Sequence, residues 1–245
     1  MAHLKTKYMG LELKNPIILG ACNLSLDPGK ARQLEEAGVA AIVFKSLFEE
    51  QINLESLQME EELAEYAERN AEMIKLFPEM HHAGPEEHLD KLRKLKEAVG
   101  IPVIGSLNCV NQDTWVTYAV EMEKTGIDGL ELNFYGVPGS FDMLSGSIEA
   151  AQIDILKQVK SRVKIPVSVK LSPFYANPLN IIKKFDDAGA DGVVLFNRMF
   201  QPDIDLKEEV HVFPFNLSQE GDYRLSLRYA GLLYGNLEGD LCISR

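Results

Sequence analysis

Cysteine is scarce in this sequence, since only three of its 245 residues are cysteines. Cys22, Cys109 and Cys242 stand far apart, and their spacing matches neither a disulfide framework nor a metal motif. The first ten residues lack the apolar core of a signal peptide, and no run approaches the roughly 18 apolar residues of a membrane span. We therefore expect a cytoplasmic protein that holds no metal.

Basic residues are also few: 25 lysines and arginines face 37 aspartates and glutamates, for a formal net charge of −12. Such an acidic chain is a poor partner for nucleic acid or an anionic membrane. Much of the acid lies between Glu49 and Glu87, where apolar residues at roughly helical spacing predict a solvated amphipathic helix. These apolar residues are Leu57, Leu63, Tyr66, Met73 and Phe77. An anionic ligand would have to be bound by individual lysines, against the net field of the protein.

Strand-like and helix-like segments alternate along the chain. Apolar segments typical of buried strands occur at 17–21, 38–46, 100–108, 126–133, 164–172, 190–197 and 239–245. Helical patterns lie between them, at about 28–37, 86–99, 113–124, 147–159, 178–189 and 224–234. The phrases EEAGVAAIVFK, EKTGIDGLELN and DDAGADGVVLFN share a helix end, a glycine near the C-cap and a buried strand. This recurrence favours an α/β fold of the TIM (β/α)8 type over a doubly wound sheet.

The predicted barrel has an added segment at its start and a missing segment at its end. LKTKYMGLELKNP predicts a β-hairpin that turns at Met9-Gly10 and covers the bottom of the barrel. Seven strands are predicted rather than eight, so we expect an incomplete barrel that is shortened at its C-terminus. The chain forms one domain over residues 1–245, in which residues 45–88 carry the end of strand two and the acidic helical insert over the site.

Polar residues stand where the predicted strands end, which is where barrel enzymes hold their chemistry. The residues at these ends are Gly20, Ala21, Cys22, Lys45, Ser46, Ser106, Asn108, Asn133, Lys170, Ser172 and Asn197. A buried lysine must be paired and a buried asparagine must be hydrogen-bonded, so two lysines and three asparagines are not what a core requires. Amides provide donors and acceptors and lysines provide positive charge. The set therefore suits a planar heterocycle that bears carbonyls and ring nitrogens.

Five motifs on these strands resemble the FMN-dependent dihydroorotate dehydrogenases. They are NPIILGA after the hairpin, FKS on strand two, ELN on strand four, VKLSPFY on strand five and LFN on strand six, in the family's order. The resemblance is closest to the dihydroorotate dehydrogenase-like branch, and it runs from about His3 to Arg245. It implies noncovalently bound FMN and hydride transfer between flavin and a small cyclic or carboxylated substrate such as dihydroorotate, as in pyrimidine biosynthesis.

The resemblance also implies roles for individual residues. The cofactor-binding residues would be Gly20, Ala21, Lys45, Ser46, Ser106, Asn108, Asn133 and Lys170. The substrate-binding residues would include Lys45, Asn133 and Asn197. Lys45 would lie between flavin and substrate. Lys170 would face the N1–O2 edge of the flavin, where a cation stabilises the negative charge of reduced flavin.

The sequence departs from the family at the catalytic base. The family's Cys or Ser just beyond the asparagine is absent, because Phe134, Tyr135 and Gly136 follow Asn133, so Tyr135 joins Lys45 as a catalytic candidate. Ser140 stands further along the loop, but an unpaired serine is a weak base. Tyr135 would need a pKa far below its usual value of about 10, and the alternative is a wall residue of the pocket. His82, in FPEMHHAGPEEHL, is a candidate substrate-binding residue because a neutral histidine can act as a base near pH 7, and its alternative is surface exposure.

These observations support one leading hypothesis and two others. The leading hypothesis is an FMN-dependent oxidoreductase that acts on a CH–CH group of a small molecule. The second is a degenerate or truncated barrel that binds a ligand without catalysis, because the base and the family's glycine-rich phosphate turns are missing. The third is a Schiff-base aldolase that uses Lys45 or Lys170, because a desolvated lysine can be nucleophilic. The uncovered edge of a seven-stranded barrel further predicts a homo-oligomer.

Overall fold

A parallel sheet with helices on its outer face forms the body of the protein. The computed structural model describes residues 4–49, 85–134, 140–198, 203–212 and 219–244. In chain order the strands are β1 (Thr6–Tyr8), β2 (Leu11–Leu13), β3 (Ile18–Leu19), β4 (Ala41–Val43), β5 (Leu47–Phe48), β6 (Val103–Asn108), β7 (Gly129–Asn133), β8 (Val167–Leu171), β9 (Gly192–Leu195), β10 (Asp203–Asp205), β11 (Val210–Val212) and β12 (Asp240–Ile243). The helices are α1 (Pro28–Glu36), α2 (Pro85–Ala98), α3 (Gln112–Glu123), α4 (Ser145–Lys160), α5 (Pro178–Asp187) and α6 (Tyr223–Leu233).

Seven parallel strands follow one another across the sheet in the order β12-β9-β8-β7-β6-β4-β3, and the short β5 pairs with β6 beyond the end of β4. Each neighbour in this order, other than β5, is the next parallel strand along the chain. Among the residues that the structure describes, no pairing joins β12 back to β3. The fold is therefore an incomplete TIM-type α/β barrel, which confirms the expectation from the sequence.

Local sequence explains where the helices begin and end. Helix α1 starts with Pro28 at its first position, and the Asp27 carboxylate accepts hydrogen bonds from the next two amides. The three recurring phrases end their helices alike, since Gly38, Gly126 and Gly189 all have positive φ angles, of 113°, 83° and 91°. This left-handed conformation is where glycine is favoured after a helix. The repeated phrase is thus a repeated helix-to-strand turn.

The N-terminal hairpin fills the bottom of the barrel, as predicted. It turns at Met9 and Gly10, which have φ angles of 53° and 76°. Tyr8 and Met9 enter the interior so closely that a Cβ atom at Gly192 would lie 3.1 Å from each side chain. The amide of Met9 also donates to Asp240 Oδ2 at 2.8 Å. This bond connects the first element of the chain to the last strand.

Two aspartates repeat one contact at the amino ends of the strands. Asp128, just before β7, accepts from the first amide of β6 at 2.7 Å and from Lys96 Nζ at 2.6 Å. Asp191, just before β9, accepts from the first amide of β8 at 2.7 Å and from Lys160 Nζ at 2.5 Å. Each carboxylate thereby connects the start of its own strand with the preceding parallel strand and with the helix that leads into that preceding strand.

The structure adds elements that the sequence pattern does not predict. The antiparallel pair β10–β11 lies between β9 and α6, and the predicted strand at 17–21 is reduced to the two residues of β3. The predicted acidic helix lies almost entirely outside the described residues. Within the described part of the chain, no helix is both long enough and apolar enough to cross a membrane.

Candidate functional site

Alternation along the inner strands directs polar side chains into the barrel. On β7, Leu130 and Leu132 pack outward against the helices, which leaves Glu131 and Asn133 on the inner face. In the same way Ser168 and Lys170 alternate with apolar residues of β8 that belong to the outer core. The inner face therefore becomes polar towards the carboxyl ends of the strands.

The strand ends bring most of the predicted residues into one cluster. We name it the strand-end site, and it comprises Lys45, Ser46, Ser106, Asn108, Asn133, Lys170 and Asn197. Asn133 stands opposite Lys170 in the register of β7 and β8. Asn108 Nδ2 donates to the Asn133 carbonyl at 2.7 Å, and Asn197 Nδ2 lies 3.3 Å from the Lys170 carbonyl. The side chains of Asn108 and Asn197 thus connect neighbouring strand ends.

Asn133 carries an acceptor that the described residues leave unused. The residue is only 7% exposed, yet its Oδ1 atom is buried and has no hydrogen-bond partner in the part of the chain that the structure describes. A buried acceptor without a partner is costly, and native structures seldom leave one without a reason. This acceptor is therefore available to a hydrogen-bond donor from outside the described residues.

Two lysines belong to the strand-end site: Lys170 lies opposite Asn133 on β8, and Lys45 follows the end of β4. The backbone amide of Lys45 donates to Ser25 Oγ at 2.9 Å, and Ser25 Oγ donates to the Cys22 carbonyl at 2.8 Å. These bonds connect the end of β4 with the loop after β3. The nearby imidazole of His88 is mostly buried, and burial followed by the charge of Lys45 lowers its pKa to about 4. Among the described atoms its Nε2 has no partner.

A hydroxyl pair extends the site downward into the barrel. Ser46 Oγ and Ser106 Oγ lie 2.7 Å apart, and the Ser106 hydroxyl is 3.3 Å from Glu131 Oε1. Glu131 is the functional candidate that the sequence analysis missed. The signal was present, because alternation in GLELN places it on the same face as Asn133.

The remaining candidate residues lie partly inside and partly outside the described residues. The backbone at Gly20 is open, since a Cβ atom there would meet nothing within 4 Å, and Ala21 follows it at the strand end. Phe134 turns away from the site and packs between Trp115 and Phe185, at centroid distances of 5.1 and 5.5 Å. Tyr135 and His82 lie outside the described residues.

No ready-made metal centre accompanies these groups. In the described ranges, no three His, Cys, Asp or Glu side chains are grouped so as to hold a metal ion. Fold and site together define the class of protein: an incomplete α/β barrel with a polar, lysine-bearing ligand site at the carboxyl ends of its strands.

Comparison of the sequence with known proteins identifies relatives among dihydroorotate dehydrogenases. The chain is 31% identical over 208 residues to the catalytic subunit of dihydroorotate dehydrogenase B (NAD(+)) of Thermoplasma volcanium, covering 84% of this chain and 65% of the relative. The subunit of the same name from Thermoplasma acidophilum is 29% identical over 214 residues, with coverages of 86% and 68%. The subunit from Methanocaldococcus jannaschii is 26% identical over 215 residues, with coverages of 83% and 65%. This chain is related to the dihydroorotate dehydrogenase family.

Other comparisons are less informative. The chain spans about two thirds of the length of these relatives, between 65% and 68%. No family model matches the sequence. A solved phosphonopyruvate hydrolase complexed with oxalate and magnesium is 16% identical, with a TM-score of 0.47 and coverages of 77% of this chain and 61% of that one. So low a score carries no argument about fold or function.

Proposed function

We propose that this chain is an FMN-dependent oxidoreductase of the dihydroorotate dehydrogenase type. Its reaction is hydride transfer at a CH–CH bond between flavin and a small cyclic, carboxylated compound such as dihydroorotate, a step of pyrimidine biosynthesis. The observation that carries the proposal is the buried, unpartnered Oδ1 of Asn133 in a site that also contains Lys45 and Lys170. The relationship to the dihydroorotate dehydrogenase B subunits supports it.

The donors and acceptors of the site fit FMN. The flavin ring is planar and carries carbonyls and an N–H group, so it needs the mixture of amide, hydroxyl and ammonium groups that the strand ends present. Asn133 would accept through Oδ1, and Lys170 would stabilise negative charge on the ring. Gly20, Ala21, Lys45, Ser46, Ser106 and Asn108 would line the remainder of the cofactor site. Bound FMN would supply the hydride acceptor.

The substrate would meet Lys45, Asn133 and Asn197. Lys45 provides the positive charge that a carboxylate ligand requires, while the amides orient the ring by hydrogen bonds. Oxidation of a CH–CH bond also removes a proton, which needs a base. Tyr135 stays the proposed base, and His82 a proposed substrate contact, because the sequence places them in the loops beside the site.

The proposal also covers the cellular location and the oligomeric state of the protein. We infer a cytoplasmic homo-oligomer, because the chain has few cysteines and its sheet ends at β12 and β3 with unpaired edges in the described residues. Unpaired strand edges are commonly covered by another chain. Neither nucleic acid nor a membrane is expected as a partner.

The visible spectrum of the purified protein, with and without added FMN, tests the proposal. We expect flavin absorption, and thermal stabilisation on adding FMN that corresponds to about 2.7 kcal/mol at a hundred times the Kd. Lys170→Met should weaken binding. The matched control Lys124→Met removes an exposed lysine at the end of α3 and should not. A colourless protein that FMN does not stabilise would contradict the proposal.

A second candidate function is a barrel that binds the ligand without catalysis. It is favoured by the residues that directly follow Asn133, which are Phe134, Tyr135 and Gly136 rather than the family's Cys or Ser base. Addition of dihydroorotate to the FMN-loaded protein separates the two, since a catalytic protein bleaches its flavin and a binding protein does not.

A further inference from the structure

The barrel interior contains a carboxylate that neither the fold nor the proposed chemistry uses. Glu131 lies on β7, two residues before Asn133, and it is 4% exposed. Its described hydrogen bond comes from the Ser106 hydroxyl at 3.3 Å, which is long for a bond between two oxygens. Asp128 and Asp191, by contrast, each accept from an amide and a lysine at 2.7 Å or less. Glu131 is thus a buried carboxylate with little local compensation.

Two strand pairings and a pair of hydroxyls fix Glu131 beneath the strand-end site. The register places it opposite Ser106 of β6 on one side and opposite Ser168 of β8 on the other. Ser106 in turn contacts Ser46, which directly follows Lys45. The carboxylate therefore has a defined position one step below the polar strand ends.

The charges that face Glu131 come from three neighbouring elements. Glu131 acts electrostatically on Tyr8 of the hairpin and on Cys242 of β12, while Asp240 of β12 acts on the same tyrosine and Lys170 of β8 on the same cysteine. Lys170 stands two residues beyond Ser168, on the same face of the sheet. Burial and then the charge of Glu131 raise the pKa of Cys242, to about 11, while Lys170 acts to lower it. The pKa of the Cys242 thiol therefore responds to the charges of both Glu131 and Lys170.

We propose that Glu131 is a positioning residue, whose carboxylate balances the Lys170 ammonium and so sets the net charge that an anionic group meets in the strand-end site. The inference rests on the proposed function, in which reduced FMN is that anionic group. A carboxylate close to a cation reduces the positive potential that the cation offers to a ligand. Removal of the Glu131 charge should therefore favour reduced flavin, and removal of the Lys170 charge should disfavour it.

Cys242 allows the charge balance to be tested without any cofactor. With Cys22→Ser and Cys109→Ser it is the single thiol, and the absorbance of its thiolate during a pH titration reports its pKa. Glu131→Gln should lower this pKa by about half a unit or more, a threefold change in the ratio of thiolate to thiol. Lys170→Met should raise it, and the double variant should return it towards the starting value. An unchanged thiol pKa in Glu131→Gln would overturn the proposal.

Ser168→Ala is the matched control for these titrations. Ser168 flanks Glu131 on the other strand, but its hydroxyl lies 3.4 Å from the Leu130 carbonyl, so its removal should leave the thiol pKa unchanged. If Glu131→Gln fails to fold, Lys170→Met provides the test instead. A Cys242 pKa that does not rise in Lys170→Met would contradict the proposed charge balance.

The midpoint potential of bound FMN gives the second measurement. It should move to a more positive value in Glu131→Gln, to a more negative value in Lys170→Met, and not at all in Ser168→Ala. A merely structural role would not move the potential in opposite directions. If the potential is the same in Glu131→Gln as in the unsubstituted protein, the inference is wrong. If FMN binds to none of these proteins while the thiol pKa moves as expected, the proposed function is wrong and the charge balance stands.

Discussion

The polar side chains at the two ends of the sheet differ in their hydrogen bonding. At the amino ends of the strands, Asp128 and Asp191 each bind a backbone amide and a lysine at 2.5 to 2.7 Å. At the carboxyl ends, neither Asn133 Oδ1 nor His88 Nε2 has a hydrogen-bond partner within the described ranges, although both atoms are buried. His88 lies beside Phe44 with ring centroids 4.9 Å apart. The hydroxyl of Tyr8 is a third buried group for which the described residues provide no partner of ordinary geometry, and it lies between these ends in the interior.

This difference separates side chains whose hydrogen bonds stabilise the fold from side chains whose buried polar atoms make no described hydrogen bond. A carboxylate with short bonds from an amide and a lysine stabilises the folded chain, and its loss leaves those donors without a partner. A buried acceptor with no partner destabilises the folded chain, so its retention needs another reason, such as a ligand that supplies the donor. We therefore expect substitutions of Asp128 and Asp191 to change stability, and substitution of Asn133 to change binding.

The largest expected effect is the loss of a carboxylate at the amino ends. Asp191→Ala should lower the free energy of unfolding by about 3 kcal/mol, because an amide of β8 and the ammonium of Lys160 both lose their acceptor. Urea denaturation measures the change. The control is Asp187→Ala, which removes an exposed ion pair with Lys183 and should cost about 0.5 kcal/mol or less. Equal costs for the two variants would contradict the contrast between the ends.

The amino-end pattern was largely readable from the sequence. The repeated phrases predicted repeated helix-to-strand turns, and the positive φ angles of Gly38, Gly126 and Gly189 confirm them. The two aspartates follow the last two of these glycines at the same distance, in GID and GAD, so the repeat itself carries the contact. Such a repeat can be predicted because each copy forms the same helix-to-strand turn from residues that are close in the chain.

The carboxyl-end site was readable only in part. The polar strand ends were predicted to form one site, and the structure places Asn133 of β7 opposite Lys170 of β8. Glu131 was missed because its importance depends on burial and on the few partners that other strands provide. Phe134 shows the same limit, since only packing reveals that it contacts Trp115 rather than the site. The roles of Tyr135 and His82 stay predictions.

A smaller effect, near the carboxyl ends, depends on pH. Burial, with Lys45 and Lys91 adding to it, lowers the pKa of His88 from its ordinary 6.5 to about 4. The unfolded chain therefore binds the proton more readily. The contribution of His88 is fully present above about pH 6.5 and is lost as the pH falls towards about 4, amounting to about 2 kcal/mol of lost stability near pH 5.

Denaturation of His88→Phe at several pH values checks this account. Phenylalanine keeps a ring beside Phe44 but cannot take up a proton, so the variant should lose less stability than the unsubstituted protein between about pH 7 and pH 5. Parallel pH profiles for the two proteins would show that His88 is not held neutral by the fold.

The smallest effect on stability is expected at the centre of the site. Asn133→Leu removes the unpartnered Oδ1 and replaces it with an apolar group of similar size, so the free energy of unfolding should change by less than about 1 kcal/mol. The backbone carbonyl that Asn108 binds is unaffected by the substitution. Binding of FMN should nevertheless weaken by about tenfold or more, since that factor corresponds to the roughly 1.4 kcal/mol of one good hydrogen bond. A variant that is strongly destabilised, yet binds FMN as before, would reverse the assignment: Asn133 would then belong with the aspartates that hold the fold.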